Sequence, residues 1–343
     1  MIGGLGFGGS ALGNLYRRVS EEDARAAVET AWQAGVRYFD TAPHYGLGLS
    51  ERRLGAVLGD LPRSEFVVST KVGRLLEPFD GGGDDLAGGF AVPATHRRVW
   101  DFSAEGVRRS LDDSLTRLGL DRVDIVYLHD PDDHWAQALD EALPALAELK
   151  AQGVIRGIGV GVNWCETAER FIPESALDFV MLAGRYTLLE HDAAAPFLSR
   201  CRERGISVVA AGVFNSGLLA RAEVPADATH DYAAAPARLV GRARRIARVC
   251  RRHGTSLPQA ALHFPFGNAA VRAIAVGARS AGEIAENAAL LDGEVPAGLW
   301  ADLRAQGLIG SEVPVPQPPG GPGGQPRTPE PLDEHTRRAV LGD

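Results

Sequence analysis

Short apolar runs alternate along the chain with segments whose apolar positions recur every third or fourth residue. The runs lie at 5–8, 36–40, 66–70, 124–128, 155–160, 178–182, 206–210 and 271–276. Bounded and short, they read as buried β-strands. Between them, Val107, Leu111, Leu115 and Leu118 fall on one helical face, and 137–152 and 237–253 repeat the pattern. Ser20 precedes Glu21-Glu22-Asp23, an N-cap followed by acids in the first turn, and Gly35 closes that helix. Strands alternating with helices in this number predict a single-domain (β/α)₈ TIM barrel over residues 1–310.

Two regions break the alternation. Residues 74–100 carry Gly81-Gly82-Gly83, Gly88-Gly89 and Pro93. They read as a long loop leaving the third strand, over the face where such barrels build their sites. Residues 311–343 hold a Pro/Gly-rich run from Pro314 to Pro331 and are expected to form a disordered tail. At the other end Met1-Ile2-Gly3-Gly4 leads straight into the first strand, so no preceding element is expected to close the bottom of the barrel.

Polar residues of a particular kind stand where the runs end. Asp40 ends the second run, Lys71 follows the third, His129 follows the fourth, and Tyr45 lies five residues beyond Asp40. Of 36 basic residues only Lys71 and Lys150 are lysine. A lysine kept at a strand end in so arginine-rich a chain suits a task for an ammonium. A tyrosine hydroxyl titrates near ~10, and a neighbouring ammonium lowers that value by favouring phenolate. Asp40 can hold Lys71 in place, and His129 can orient a substrate oxygen. Singly, Tyr45 also reads as a loop anchor and His129 as a hydrogen-bonded core histidine. Together the residues suit proton transfer at an oxygen while hydride moves at the adjoining carbon, with Tyr45 as the acid–base.

Composition narrows the alternatives. The 343 residues carry a net charge of −8, which gives no basic surplus for a nucleic-acid partner. No apolar stretch reaches the ~18 residues of a membrane span, and no basic-then-apolar leader is present. Cys165, Cys201 and Cys250 are scattered and form no C-x-x-C, as expected of reduced thiols in a cytoplasmic protein. The expected partner is a small-molecule substrate; the oligomeric state stays open.

Gly6-Phe7-Gly8-Gly9, Phe39-Asp40-Thr41-Ala42-Pro43-His44-Tyr45-Gly46 and Ser69-Thr70-Lys71 resemble the aldo-keto reductase family. The resemblance covers roughly residues 3–310 and puts the family's tetrad on Asp40, Tyr45, Lys71 and His129. Residues 69–76, 129–134, 183–189 and 213–217 are similar to the bacterial aldose dehydrogenases of that family. This implies NAD(P)-dependent oxidation of an aldose (L-fucose, D-arabinose or a galactose-like sugar) at C1 to the lactone. Pyridoxal 4-dehydrogenases and general aldehyde or ketone reductases of the family are the alternatives. A non-catalytic NAD(P)-binding regulatory subunit is an alternative of another class.

The resemblance also implies a cofactor site. Asn163 would fix the nicotinamide carboxamide, since an amide offers both donor and acceptor. Gly8, Phe214, Ser216, Gly277, Arg279, Ser280, Glu283 and Asn287 would line the rest. Ser280 and Glu283 equally make a capping box. Glu283 falls where NADP-using relatives commonly carry a phosphate-binding arginine, so NAD is the expected preference over NADP, with Arg279 as the counter-argument. Ala183 stands in place of a carboxamide-binding glutamine. Gly212 stands in place of a ring-stacking aromatic, for which Phe214 can substitute. His129-Asp130-Pro131-Asp132-Asp133-His134 matches no standard metal loop, and no metal is expected. Asp130, Asp132, His134, His44 and Trp135 are instead candidates for substrate binding.

Overall fold

The computed structural model describes residues 2–317 apart from 175, 226 and 232. The strands are β1 (Gly4–Gly8), β2 (Tyr38–Asp40), β3 (Val67–Val72), β4 (Arg74–Pro78), β5 (His96–Trp100), β6 (Ile125–His129), β7 (Gly157–Val162), β8 (Phe179–Ala183), β9 (Ser207–Ala211), β10 (Thr229–His230), β11 (Ala233–Ala234) and β12 (Val271–Gly277). Eight of them close a parallel barrel in the order β1-β12-β9-β8-β7-β6-β3-β2, with helices around it, so the fold is a (β/α)₈ TIM barrel. These are the eight strands that the apolar runs predict.

Local chemistry explains the helices. Helix 21–33 starts at Ser20, whose hydroxyl accepts from the Asp23 amide at 3.0 Å. It buries Ala24, Ala27, Val28 and Ala31, a stripe at helical spacing, against the barrel. Helix 104–118 is capped by Ser103 and stopped by Gly119 at φ 63°. Glu51, fully buried on helix 49–58, pairs with Arg117 at 2.6 Å and accepts from Thr70 at 2.8 Å, which ties two helices to β3.

The strands alternate. Phe39, Val126 and Leu128 join the outer core under the helices, whereas Tyr38, Ile125, Tyr127, Phe179, Met181 and Val209 fill the barrel. Gly157 and Gly159 contribute no side chain there. A Cβ at these positions would stand 2.6 Å from Phe179 and 2.4 Å from Tyr127, whose rings already occupy the space. Ile2 packs against the lower side of this filling. At the base, buried Asp124 accepts from the Val68 amide at 2.9 Å and from Arg63 at 2.6 Å. Asp178 accepts from the Ile158 amide at 2.9 Å and pairs with Lys150 at 2.6 Å.

Residues 74–100 are more ordered than a loop. Gly73, at φ 102°, turns the chain from β3 into β4, which pairs antiparallel with β5. The intervening segment is fastened to the chain after β1 by Tyr16 N to Gly89 O at 2.8 Å and Ala91 N to Asn14 O at 3.0 Å. Arg98 pairs with Asp85 at 2.6 Å. β4 and β5 lack an apolar run, which hid them from the hydrophobic pattern. The expected disordered tail from 311 is corrected over its first residues. Val313 and Val315 are buried, and Arg304 donates to the Val313 carbonyl at 2.6 Å. Residues 318–343 of that tail lie outside the described residues.

Helix 49–58 crosses helix 104–118 so closely that a Cβ on Gly55 would lie 1.9 Å from the Leu118 carbonyl. Gly55→Ala should therefore cost about 2 kcal/mol in urea unfolding; an unchanged midpoint would contradict the contact.

Candidate active site

Inward-pointing positions of three neighbouring strands bring the sequence candidates together. Tyr38 and Asp40 on β2, Ser69 and Lys71 on β3, and Tyr127 and His129 on β6 alternate with residues facing the helices. Lys71 Nζ donates to Asp40 at 2.6 Å and to the Thr41 carbonyl at 2.9 Å, and lies 4.9 Å from the centre of the Tyr45 ring. Ser69 donates to the other oxygen of Asp40 at 2.7 Å. The Tyr38 hydroxyl reaches Ser69 at 3.1 Å and Tyr127 at 3.2 Å. A buried polar chain thus runs from Lys71 down the barrel axis. Ser69, Tyr38 and Tyr127 were not singled out in the sequence, where they look like ordinary strand residues.

Burial opposes the Lys71 ammonium, yet Asp40 and Tyr45 hold its pKa above the ordinary value. Burial pushes Tyr45 up to about 12; Lys71 pulls it down through its charge and a hydrogen bond, and Asp40 and Asp130 add to the rise. The expectation that Lys71 leaves Tyr45 with a lowered pKa is therefore corrected: the pull exists, but desolvation outweighs it. Burial, then Arg74 and Lys71, hold His129 well below its usual range. Burial, then Arg74, Arg98 and Lys71, push His44 down to about 2. Both imidazoles are neutral at physiological pH. Their rings meet edge to face, with centroids 5.6 Å apart, and His129 stands 5.9 Å from the Tyr45 ring.

These groups line a cleft of about 1510 Å³ at the carboxyl ends of the strands. Asn163, Gly8, Phe214, Ser216, Gly277, Arg279, Glu283 and Asn287 line it as well, as do His44 and Asp130. Ser280 does not; its hydroxyl caps helix 281–292 by accepting from the Glu283 amide at 3.3 Å. Glu283 in turn accepts from the Arg279 amide at 2.8 Å and faces Arg17 at 3.8 Å.

Other expectations are redirected. Trp135 lies outside the cleft and stacks with Arg170, 4.3 Å from the guanidinium carbon to the ring centroid. The short turn after β6 carries it away from the mouth. Asp132 accepts from Thr167 at 2.5 Å, and His134 packs on Trp100 and Phe102. Asp130 is already engaged by Arg74 and Asn163. Arg74 was missed as a site residue, since one arginine among so many carries no signal. In the turn after β9, Asn215 donates to Glu190 at 3.1 Å and to Gly184 O at 3.3 Å, fixing the wall formed by 213–217.

The cleft fits a dinucleotide. Its volume exceeds the ~300–1,000 Å³ of ordinary small-molecule pockets. An amide, Asn163, lies on its wall, and the start of helix 281–292 borders it through Gly277, Arg279 and Glu283.

A barrel that gathers a buried lysine, its carboxylate, a tyrosine and a neutral histidine beside such a cleft is of the oxidoreductase class. The chain belongs to the aldo/keto reductase family, whose model matches residues 4–305, and family members use NAD(P). It is 49% identical to a D-threo-aldose 1-dehydrogenase of a Pseudomonas species, over 90% of this chain and 95% of that protein. It is 39% identical to a pyridoxal 4-dehydrogenase of Microbacterium luteolum, over 89% of this chain and 94% of the other. Among solved structures, the holo form of an aldo-keto reductase from Bacillus halodurans superposes with a TM-score of 0.71 at 25% identity, covering 91% of this chain and 94% of that one.

Removing the lysine charge would strand Asp40 in the barrel. Lys71→Met should lose about 3 kcal/mol near neutral pH. Burial raises the folded-state pKa of an unpaired Asp40, so the loss should shrink on acidification as the carboxyl takes a proton. Chemical unfolding at pH 7 and pH 5 measures both values; an equal loss at the two would contradict the assignment.

Proposed function

We propose that the protein oxidises a free aldose at C1 to the lactone, with Tyr45 as the acid–base. The observation that carries the chemistry is the contact of Lys71 with both Asp40 and Tyr45 at the cleft wall. The substrate class is supported by the 49% identity to an aldose 1-dehydrogenase across nearly the whole of both chains. A bound nicotinamide supplies the acceptor for the hydride leaving C1. The chain supplies the rest. Tyr45 as phenolate takes the proton of the anomeric hydroxyl, Lys71 stabilises that phenolate, and Asp40 holds Lys71. His129, neutral, offers a hydrogen bond to the reacting oxygen and fixes the sugar relative to Tyr45. His44, on the same wall, borders the sugar.

Because the Tyr45 hydroxyl is pushed up to about 12, only a small fraction is phenolate at neutrality, and oxidation should speed up as pH rises toward that value. NADH absorbance during incubation with NAD⁺ and L-fucose, D-arabinose, L-galactose or pyridoxal tests the reading. Sugar-dependent NADH formation, faster at pH 9 than at pH 7 and lost in Tyr45→Phe, is expected. Turnover of pyridoxal alone would reassign the substrate.

The cofactor preference rests on Glu283. Its carboxylate in the cleft would repel a 2′-phosphate, although Arg17 and Arg279 stand nearby. NAD⁺ should show the lower Michaelis constant, and a clear preference for NADP⁺ would overturn this choice.

A further inference from the structure

We infer that Arg74 and Asp130 form a positioning pair that sets the side-chain amide of Asn163 for the carboxamide end of the dinucleotide, a role that rests on the cofactor reading above. Three elements meet at this pair. Arg74 opens β4, Asp130 follows β6, and Asn163 follows β7. The guanidinium of Arg74 donates to one oxygen of Asp130, and the Asn163 Nδ2 donates to the other at 3.2 Å. Arg74 is itself fixed against Trp100, with its guanidinium carbon 4.4 Å from the ring centroid. Both members of the pair are mostly buried, at 13% and 21% side-chain exposure, so the contact is more than a screened surface bridge.

The backbone carries a second sign. Asp130 takes a left-handed conformation at φ 43°, uncommon for a residue with a side chain, while its amide donates to Gly161 O at 2.8 Å. That single residue extends the β6–β7 pairing and then departs from it, and its carboxylate meets Asn163. Such local strain persists where the surroundings hold it in place.

The consequence is specific to the amide. An asparagine can turn its amide over and exchange donor for acceptor. An ionised carboxylate accepts only, so it draws Nδ2 to itself and leaves Oδ1 and the second N–H on the other side. A carboxamide requires both of these at once. Without Asp130 the two orientations of Asn163 compete. Without Arg74 the carboxylate loses its stacked anchor on the hairpin.

Isothermal titration of the full-length protein with NADH and with ADP-ribose, which lacks the nicotinamide, tests this. Asp130→Ala should weaken NADH binding by about five- to tenfold, the worth of one oriented hydrogen bond, and leave ADP-ribose binding unchanged. Asp130→Asn, which keeps an acceptor, should recover part of the loss. Asp130→Ala combined with Asn163→Ala should bind NADH no more weakly than Asn163→Ala alone. Should Asp130→Ala fail to fold, Arg74→Gln should shift the same ratio in the same direction by a smaller factor. Equal weakening of both ligands, or of neither, overturns the proposal. If Asn163→Ala alters the ratio and the Asp130 variants do not, the positioning pair fails and the cofactor reading stands. If Asn163→Ala leaves the ratio unchanged, both fall.

Discussion

Lys71 sits with its side chain only 2% exposed, and a charge so shielded needs compensation within hydrogen-bond reach. That requirement organises the middle of the barrel. Asp40 answers it, and the other oxygen of Asp40 needs a donor of its own, which Ser69 provides. Ser69 is held by Tyr38, and Tyr38 by Tyr127. Two tyrosine rings then occupy the barrel below, and glycines make room for them: Gly6 on β1 for Tyr38 and Gly159 on β7 for Tyr127. An ion pair at the mouth and glycines on the strands beside β2 and β6 are thus parts of one packing solution.

The same burial sorts the titratable groups around the cleft. Desolvation raises a phenol and depresses an imidazole, so Tyr45 is held as the neutral acid and both histidines as neutral rings. Arg74, Arg98 and Lys71 reinforce the histidine shifts, whereas at Tyr45 the opposing pull of Lys71 is outweighed by burial. The phenol and both imidazoles are thereby held uncharged beside the Lys71 ammonium.

The barrel was legible because each strand is an apolar run and each run ends in a turn. Asp40, Tyr45, Lys71 and His129 were legible because a polar residue of a reactive type at such an end is conspicuous. The hairpin of β4 and β5 was hidden, since Arg74, Glu77, His96, Arg97 and Arg98 leave it no apolar alternation. Neighbours in sequence also misled. Trp135 lies six residues past His129, but one turn is enough to carry it to the outer surface. Asp130 lines the cleft as expected, yet its carboxylate is engaged by Arg74 and Asn163, partners that sequence spacing does not link. Val313 and Val315 alternate with prolines that exclude regular structure, but nothing prevents so short an extended piece from lying against the barrel.

The scarcity of lysine has a practical side. Of the two lysine side chains, Lys71 is enclosed beside Asp40, whereas Lys150, paired with Asp178, is 35% exposed at the base of the barrel. A reagent directed at lysine amines therefore finds one reachable side chain, on the end opposite the cleft. Coupled to a solid support through Lys150, the molecule would stand with its mouth turned to the solution.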